Sequence, residues 1–257
     1  MDILRKELNA IYSAQELDRE VLDRDSVAAE TARIREYVAV NDGCCVITDA
    51  AADSSLIIAG SLGRILGLTQ GPSLSRMVNS SDEDEIYLLM HPEDLAEKRM
   101  LEYEFFKHVT RPDTDDMLHY KAACTIRLRT PGGEFLYIDN TTQVLRKSGA
   151  GKMWLILCCY NLAAVARSTP GIAPRIIDTH TGAVTTVATD DRRRHILSPR
   201  EKEILLLIRD GKPSKQIADL LNISVHTVSR HRQNIISKLS VGSTYEAIMA
   251  ATLMKLI

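Results

Sequence analysis

Residues 198–239 have the sequence SPREKEILLLIRDGKPSKQIADLLNISVHTVSRHRQNIISKL, and this stretch decides the fold of the C-terminal part of the chain. Ser198 is followed three residues later by Glu201, which is the capping-box pattern of a helix start, and Pro199 takes the first helical position. Gly211 follows the apolar run of that helix and predicts its end. The stretch therefore opens with a short, clearly bounded helix.

Three more helix starts follow at short intervals. Ser214 and Ser224 each precede a helical apolar pattern as candidate N-caps, and Ser243 opens a last helix in the same way. Asn222 stands where the chain needs a left-handed residue, and small Ala218 lets the third helix cross close over the second. Helices joined by such short loops predict an all-α domain of four helices. The second and third have helix-turn-helix spacing.

The third helix of this segment separates into an apolar and a polar face. At about 100° per residue, Ile235 and Leu239 lie on the same side as Val228, which predicts the buried face. His231 is expected at the edge of that core. The opposite face holds side chains that are neither apolar nor acidic and that can donate hydrogen bonds, namely His226, Ser229, Arg230, Gln233, Asn234 and Ser237.

A polar helix face of this kind suits the major groove of double-stranded DNA, which admits one α-helix. Arg230 is the candidate for a bidentate contact to guanine, and Gln233 is the candidate for one to adenine. The alternative for any single residue is an ordinary solvated surface position. The candidates for phosphate contacts, through side chains or helix N-termini, are Ser214, Lys215, Ser224, His226, Thr227, Arg232 and Lys238.

The charge distribution agrees with a polyanionic partner for this segment. The chain has 257 residues and a formal net charge of -2. Residues 192–257 hold 12 Lys and Arg against 5 Asp and Glu, a balance of +7, whereas residues 1–191 have a balance of -9. A basic C-terminal part on an acidic remainder predicts that only the former meets a nucleic acid, although chance alone can produce such a drift.

Several short motifs together resemble the LuxR-type helix-turn-helix domain over residues 197–257. That resemblance implies a homodimeric transcription factor in a bacterial cytoplasm, with RNA polymerase as a further candidate partner. Its fourth helix would supply the dimer contact through Ile248, Met249 and Leu253. Many members carry Lys where Ser229 stands, so the preferred DNA sequence stays open. The motifs are LSPREKEIL (197–205), Gly211, SKQIA (214–218), Ile223-Ser224, Thr227-Val228, His231-Arg232, Asn234-Ile235 and Lys238-Leu239.

Residues 41–165 have an α+β pattern. His91-Pro92-Glu93-Asp94 starts a long helix that is expected to reach about His108, because Pro and acids favour a helix N-terminus. The order of elements resembles the PAS domain, which implies an antiparallel sheet with helices and a sensory role. The other expected elements are strands at 44–50 and 55–60, short helices near 61–67 and 73–79, and strands at 121–130, 134–146 and 153–162, with a turn at Pro131-Gly132-Gly133.

Two further segments complete the predicted organisation. Residues 1–40 form an N-terminal helical segment, in which Ile34 and Val38 belong to a short apolar repeat. This segment either covers a sheet or pairs with a second copy of the chain. Residues 166–196 form a linker rich in Ser, Thr, Pro and Gly, and within it 175–177 and 183–187 predict a small hairpin.

Two other regulator classes share parts of this pattern. A phosphoacceptor receiver domain, common before LuxR-type domains, would need an acidic pair ahead of Asp49 and alternating strands and helices, which the sequence lacks. Sigma-factor region 4 shares the helix-turn-helix, yet no aromatic-rich segment precedes it here. The sequence therefore predicts a DNA-binding transcriptional regulator. A phosphorylation-controlled response regulator and a sigma-factor-like promoter-binding protein are the alternatives.

The sequence does not predict an enzyme. Gly132-Gly133-Glu134-Phe135 resembles part of a nucleotide-cyclase signature, but a hairpin turn explains it. His91, His108 and His119 are haem-ligand candidates only by residue type, so an unidentified small molecule in the PAS-like domain is the one ligand expected. Five cysteines without Cys-x-x-Cys spacing predict reduced, mostly buried thiols. The chain has no apolar run of about 18 residues, and no membrane partner is expected.

Overall fold

The computed structural model describes residues 8, 10–71, 74–81, 83–165, 171–188, 197–239, 241–253 and 256–257. They fall into two compact units, one formed by Leu8–Val187 and one by the C-terminal part of the chain. Within the described residues, every helix is too short or too polar to cross a membrane. Leu253 is described by its backbone alone.

The first unit contains an antiparallel sheet in the order β3-β2-β1-β6-β5-β4-β7-β8. The strands expected from the apolar runs form, and the turn between β4 and β5 has Gly133 at φ 89°. The strands are β1 (Cys44–Asp49), β2 (Ser54–Ala59), β3 (Leu74–Val78), β4 (Tyr120–Arg129), β5 (Phe135–Lys147), β6 (Met153–Leu162), β7 (Arg175–Asp178) and β8 (Val184–Thr186).

Helices cover both faces of this sheet. The long helix begins as expected, because the His91 side chain accepts the N–H of Glu93 at 3.3 Å and Pro92 holds the first helical position. Short 3-10 turns lie at Leu17–Arg19 and Met117–His119. Residue 8 and residues 10–13 are helical as well. The helices whose bounds the structure describes are α1 (Arg24–Asn41), α2 (Ser61–Ile65), α3 (Asp84–Tyr87) and α4 (Pro92–Val109).

The two apolar faces of the sheet follow the alternation of side chains along its strands. On one face, Phe105 and Phe106 of α4 pack with Ile126 and Ile138 in the larger core. On the other face, α1 covers the sheet with side chains that include Ile34. Of the two roles open to the N-terminal helical segment, covering a sheet is therefore seen for α1.

The larger core also holds charged groups that the helix pattern did not reveal. Lys98 is fully buried, and its Nζ donates to Glu102 Oε1 at 2.7 Å and to Thr142 Oγ1 at 3.0 Å. The Tyr160 hydroxyl donates to Glu83, whose pKa is raised by burial. A buried ion pair of this kind is stable only because hydrogen bonds satisfy its members.

One element was predicted wrongly. The stretch near 73–79 was expected to be a short helix, but Leu74–Val78 is a strand that pairs with β2 in the register Leu56↔Met77. The free backbone edge of β2 supplies hydrogen bonds that so short a helix could not match. A hairpin does form from β7 and β8, and β7 pairs with β4, which extends the sheet.

The second unit is helical and packs around buried Ile204, Ile217, Val228 and Ile235. Asn222 ends its second helix in the left-handed conformation, with φ 50° and ψ 49°. This confirms the turn expected there. The helices are α5 (Pro199–Arg209), α6 (Ser214–Leu221), α7 (Val225–Leu239) and α8 (Thr244–Leu253).

Three of the four caps expected in this unit form, and one of them is Ser243, whose Oγ accepts the N–H of Glu246 at 3.2 Å. Ser198 and Glu201 form the full capping box, and Ser224 Oγ accepts the N–H of Thr227 at 3.0 Å. Ser214 was expected to cap α6, and this was wrong. It is the first helical residue, and its hydroxyl accepts a hydrogen bond from Arg232 instead.

Candidate nucleic-acid interface

The helix α7 presents one polar face to solvent. Val228 and Ile235 are buried beneath it, which fixes the opposite side of the helix outward. The sequence of α7, VHTVSRHRQNIISKL, contains no acidic residue. Of the side chains singled out by the helical angle, Ser237 is half-buried and the others are exposed, namely His226, Ser229, Arg230, Gln233 and Asn234. Val225, the first residue of α7, is also exposed. A face with these groups can donate hydrogen bonds to an anionic partner without a repelling carboxylate on the same helix.

The N-terminal ends of α6 and α7 lie beside candidates for phosphate contacts. Lys215 is exposed in the first turn of α6, and Thr227 is half-buried in the first turn of α7. The first backbone amides of a helix point outward without helical partners, and the helix dipole makes this end attractive to an anion. Ser224 caps one such amide of α7 and leaves the others for a ligand.

Arg232 links three helices of the unit. Its Nη1 donates to Ser214 Oγ at 2.9 Å, and its Nη2 lies 3.4 Å from Thr244 Oγ1. These partners are the first residues of α6 and α8. The guanidinium carries five N–H donors, so these contacts leave others for a further acceptor.

Lys238 lies in an ion pair. Its Nζ is 2.6 Å from Oε2 of Glu201, and the Glu201 side chain is only 4% exposed. The same oxygen accepts the N–H of Ser198 at 2.8 Å. Burial opposes ionisation of Glu201, but the hydrogen bonds from Lys238 and Ser198 outweigh it and lower the pKa of Glu201. The carboxylate therefore joins the start of α5 to the end of α7.

One contact had no signal in the sequence. Arg200 Nη2 donates to the carbonyl oxygen of Leu221 at 2.7 Å, which satisfies an acceptor at the C-terminal end of α6. The two residues are 21 positions apart, so no local sequence pattern predicts their contact. Arg200 thus fixes the turn before α7 from outside the helix-turn-helix itself.

The helix α8 combines a buried and an exposed side. Ala247 and Ala251 are buried, whereas Met249 is 48% exposed and Tyr245 is 72% exposed. Ile248, which the resemblance assigned to a dimer contact, is half-buried. The side chain of Leu253, assigned to the same contact, lies outside the described residues. Tyr245 was not among the expected contacts, and its side chain is exposed beside that of Met249.

Asp49, the residue considered as a phosphoacceptor, is held by an ion pair and several hydrogen bonds within the first unit. It pairs with Arg24 at 2.5 Å and accepts the Nε1–H of Trp154 at 3.0 Å. It also accepts the backbone N–H groups of Ala51 and Ala52. The sheet around it is antiparallel throughout its described strands, unlike the alternating strand–helix order that a receiver domain needs. The geometry does not fit the phosphoacceptor alternative.

The histidines considered for haem have other contacts. His91 caps α4, and His108 packs edge-on against Tyr120 with ring centroids 4.8 Å apart. His119 stacks on His180. Across the part of the chain that the structure describes, no group of three His, Cys, Asp or Glu could hold a metal ion.

Comparison with known proteins finds a family match for the C-terminal segment. Residues 195–251 match the family described as "Bacterial regulatory proteins, luxR family". The uncharacterized response regulatory protein YgeK of Escherichia coli (strain K12) is 53% identical over 55 residues, covering 21% of this chain and 37% of that protein. The transcriptional activator protein CarR of Pectobacterium carotovorum subsp. carotovorum is 40% identical over 62 residues, covering 24% of this chain and 25% of that protein.

Some solved structures align with more of the chain than this segment, but at low sequence identity and low TM-score. The Vibrio cholerae VqmA dimer without target DNA is 16% identical and covers 86% of this chain and 89% of that chain, with a TM-score of 0.28. The sensory box histidine kinase/response regulator of Burkholderia thailandensis E264 is 16% identical and covers 51% of this chain and 84% of that chain, with a TM-score of 0.34. Likeness at this level does not establish a shared architecture.

The family match lies within the helical unit. The C-terminal segment carries a helix-turn-helix domain of the luxR family of bacterial regulatory proteins, and an α+β unit that this family match does not cover precedes it. The matched part is 37% or less of the length of these two relatives.

Proposed function

We propose that this chain is a sequence-specific transcriptional regulator that binds double-stranded DNA by placing α7 in the major groove. The observation that carries this proposal is the exposed, polar and non-acidic face of α7 above its buried Val228 and Ile235. A major groove admits one helix, and the residues near the helix N-terminus reach deepest into it. The match of this segment to a regulatory family supports the same function.

The exposed side chains divide into base and backbone contacts. Arg230 pairs with guanine through its two terminal N–H groups, and Gln233 pairs with adenine. Ser229 and Asn234 flank them and adjust the preferred sequence. Lys215 contacts phosphate, and His226, Thr227 and the amides at the N-terminal ends of α6 and α7 contribute to the backbone contacts.

The sequence predicted that Arg232 and Lys238 contact phosphate directly. In this proposal they mainly hold α7 in place, because both have partners within the protein. Lys238 is held by Glu201 at 2.6 Å, and Arg232 is held by Ser214 at 2.9 Å. Both positive charges still attract DNA through the field of the unit. Their main contribution is to fix α7 against α5, α6 and α8, so that the recognition face has one orientation.

The regulator acts as a homodimer through α8. Tyr245 and Met249 leave apolar surface on this helix that a second copy can cover. A two-fold pair then presents two α7 helices to major grooves about 34 Å apart on one DNA face. RNA polymerase is the further partner that such a factor meets in a bacterial cytoplasm.

The first unit is a PAS-like sensor in this proposal. Along the chain, two strands, helices and the meander β4-β5-β6 follow in the order from which the PAS resemblance was drawn, with β3 added at the edge of β2. A cavity of about 20 Å³ beside Glu83, Tyr87 and Glu102 has room for about one water. A larger ligand at this point therefore requires the core to repack. In this proposal, the repacking of the core is the conformational change by which the unit transmits ligand binding.

Selection from a random double-stranded DNA library tests the function. The full-length chain is expected to enrich one sequence motif, and its affinity for that motif should fall steeply as salt rises, because binding releases counterions from phosphates. Failure to enrich any motif at low salt, with protein that is folded by circular dichroism, contradicts the proposal. Arg209→Ala is the matched control, since it removes an exposed positive charge that lies at the C-terminal end of α5 and pairs with Asp210.

A further inference from the structure

Two adjacent cysteine pairs meet across neighbouring strands of the first unit. Cys44 and Cys45 lie on β1, Cys158 and Cys159 lie on β6, and the antiparallel register places Cys45 opposite Cys159. Because side chains alternate along a strand, Cys44 and Cys158 point into the larger core. Cys45 and Cys159 point to the other face, beneath α1. Their Sγ atoms are 3.3 Å apart, and both thiols are free.

The register gives this pair the geometry of a cross-strand disulfide. Ala50 N donates to the carbonyl oxygen of Trp154 on the same β1–β6 ladder, so that pair is hydrogen-bonded. Pairs alternate along an antiparallel ladder, which makes Cys45 and Cys159, five positions away, a non-hydrogen-bonded pair. The Cα atoms of such pairs are about 4.5 Å apart, within the roughly 4.4–6.8 Å range of disulfides. The bond can form without a change of register.

The two thiols are also chemically unequal. The Cys45 S–H donates to Cys159, and this hydrogen bond, with another from Thr141, lowers the pKa of Cys159 against the effect of burial. The same contact raises the pKa of Cys45. Burial raises the pKa of Cys44 to about 12 and also raises that of Cys158. Cys159 also has the largest exposed fraction of the four, 8%, and accepts the Cys45 S–H, so it is the nucleophile of the pair, because the thiolate is the reactive form.

We propose that Cys45 and Cys159 are a thiol modification site that a peroxide converts to a reversible disulfide within one chain. The Cys159 thiolate attacks one oxygen of hydrogen peroxide, the O–O bond breaks, and the released hydroxide takes the proton that Cys159 lost and becomes water. The Cys45 sulfur then attacks the sulfur of the Cys159 sulfenic acid, gives up its proton, and expels a second water. Two thiols lose two electrons and two protons, and one peroxide becomes two waters.

The route of the oxidant and the effect of the bond follow from the position of α1. Cys159 is 8% exposed and Cys45 is 1% exposed, so the oxidant reaches Cys159 first. Tyr37 of α1 lies beside this site and contacts Asn161 at 3.4 Å. The bond ties β1 to β6 directly under α1. It would make the thiol redox state an input to this unit, independently of whether α7 binds DNA.

A thiol count on the full-length chain tests the site. Reduced protein is titrated with hydrogen peroxide, denatured in N-ethylmaleimide, and weighed by intact mass spectrometry. The expected result is a fall from five alkylated cysteines to three, with the loss of two hydrogens and recovery by dithiothreitol. Cys44→Ala is the matched control, because Cys44 adjoins Cys45 but points to the other face of the sheet. It should still form the cross-link, whereas Cys45→Ala and Cys159→Ala should not.

Three results would overturn the proposal. One is wild-type protein that keeps all five thiols at peroxide levels that already oxidise its methionines. Another is a cross-link that survives Cys45→Ala. The last is a cross-link that joins two chains on a non-reducing gel. If the alanine variants do not fold by circular dichroism, peptide mapping of the oxidised wild type decides, since the adjacent cysteines can be separated by fragmentation between residues 44 and 45 and between 158 and 159.

Discussion

The two units differ in where one prominent group of charged residues lies, on the surface of the C-terminal unit and in the core of the first unit. In the C-terminal unit, Arg230 and Lys215 are exposed, while the apolar side of each helix is buried. In the first unit, Lys98 and Glu102 lie inside the core, where the Lys98 side chain is fully buried. Outward charges are available to an external partner, whereas inward charges are satisfied by the fold itself. The comparison indicates recognition of another molecule by one unit and an internally balanced polar core in the other.

The interior ion pair gives the sharpest test of this difference. Lys98→Met leaves Glu102 buried with the Tyr87 hydroxyl but without its cation, and a broken buried pair costs roughly 3–5 kcal/mol. We expect the free energy of unfolding of the first unit to fall by this amount in a urea titration. Lys107→Met, on the exposed side of the same helix, should change it little. Equal effects of the two substitutions would mean that the interior charge is not stabilised by its neighbours.

The exposed face of α7 is tested by Arg230→Ala. Loss of a bidentate base contact should weaken binding to the preferred DNA by about 1–3 kcal/mol and relax the preference at one base pair. The free energy of unfolding should stay within about 0.5 kcal/mol, because Arg230 is exposed. Competition binding against single-base variants of the site measures both quantities. An equal loss on every sequence would assign Arg230 to the DNA backbone.

Glu201→Gln tests the contact between α5 and α7. Removal of the carboxylate weakens the ion pair with Lys238 and one side of the capping box, which should cost about 1–2 kcal/mol of stability. The pKa of Glu201 is lower in the folded state, so its contribution is present above the pKa of the unfolded chain and is lost as pH falls through the folded pKa. Urea titrations from neutral to acid pH should show the two proteins converging. A constant difference would exclude the carboxylate as the cause.

The smallest effects should separate two lysines of the same unit. Lys215→Ala should weaken binding to all DNA sequences alike and lower the slope of log affinity against log salt by about 1, because Lys215 is exposed. Lys238→Ala should change that slope less and stability more, since its ammonium is already paired with Glu201. Salt titrations of both variants measure this. Identical salt slopes for the two variants would mean that Lys238 contacts phosphate as Lys215 does.

Features that depend on neighbours within a few residues were predictable from the sequence. The Ser198–Glu201 capping box, the left-handed Asn222 and the start of α4 all depend on side chains and backbone groups of the same turn. The buried and exposed faces of α7 follow from the helical period alone. For these reasons the sequence predicts most of the exposed polar side of α7, although Ser237 of the expected set is half-buried.

Contacts between distant segments were not predictable in the same way. Glu201 and Lys238 are 37 positions apart, and the hydroxyl of Ser214 is taken by Arg232, 18 positions away, which overrides its expected cap. Lys98 and Glu102 have the spacing of an ordinary surface pair, and only the packing of α4 on the sheet places them inside. The strand β3 depends likewise on the free edge of β2.

Arg232 gives the C-terminal unit a short mechanical coupling. The Arg232 guanidinium, in the middle of α7, contacts the first residues of α6 and α8. A displacement of α8 therefore either breaks the hydrogen bond to Thr244 or moves α7 as well. In a pair of chains assembled through α8, the tightness of assembly would therefore set the tilt at which each α7 meets its groove. Affinity for a second copy and affinity for an operator would then change together, through a single side chain.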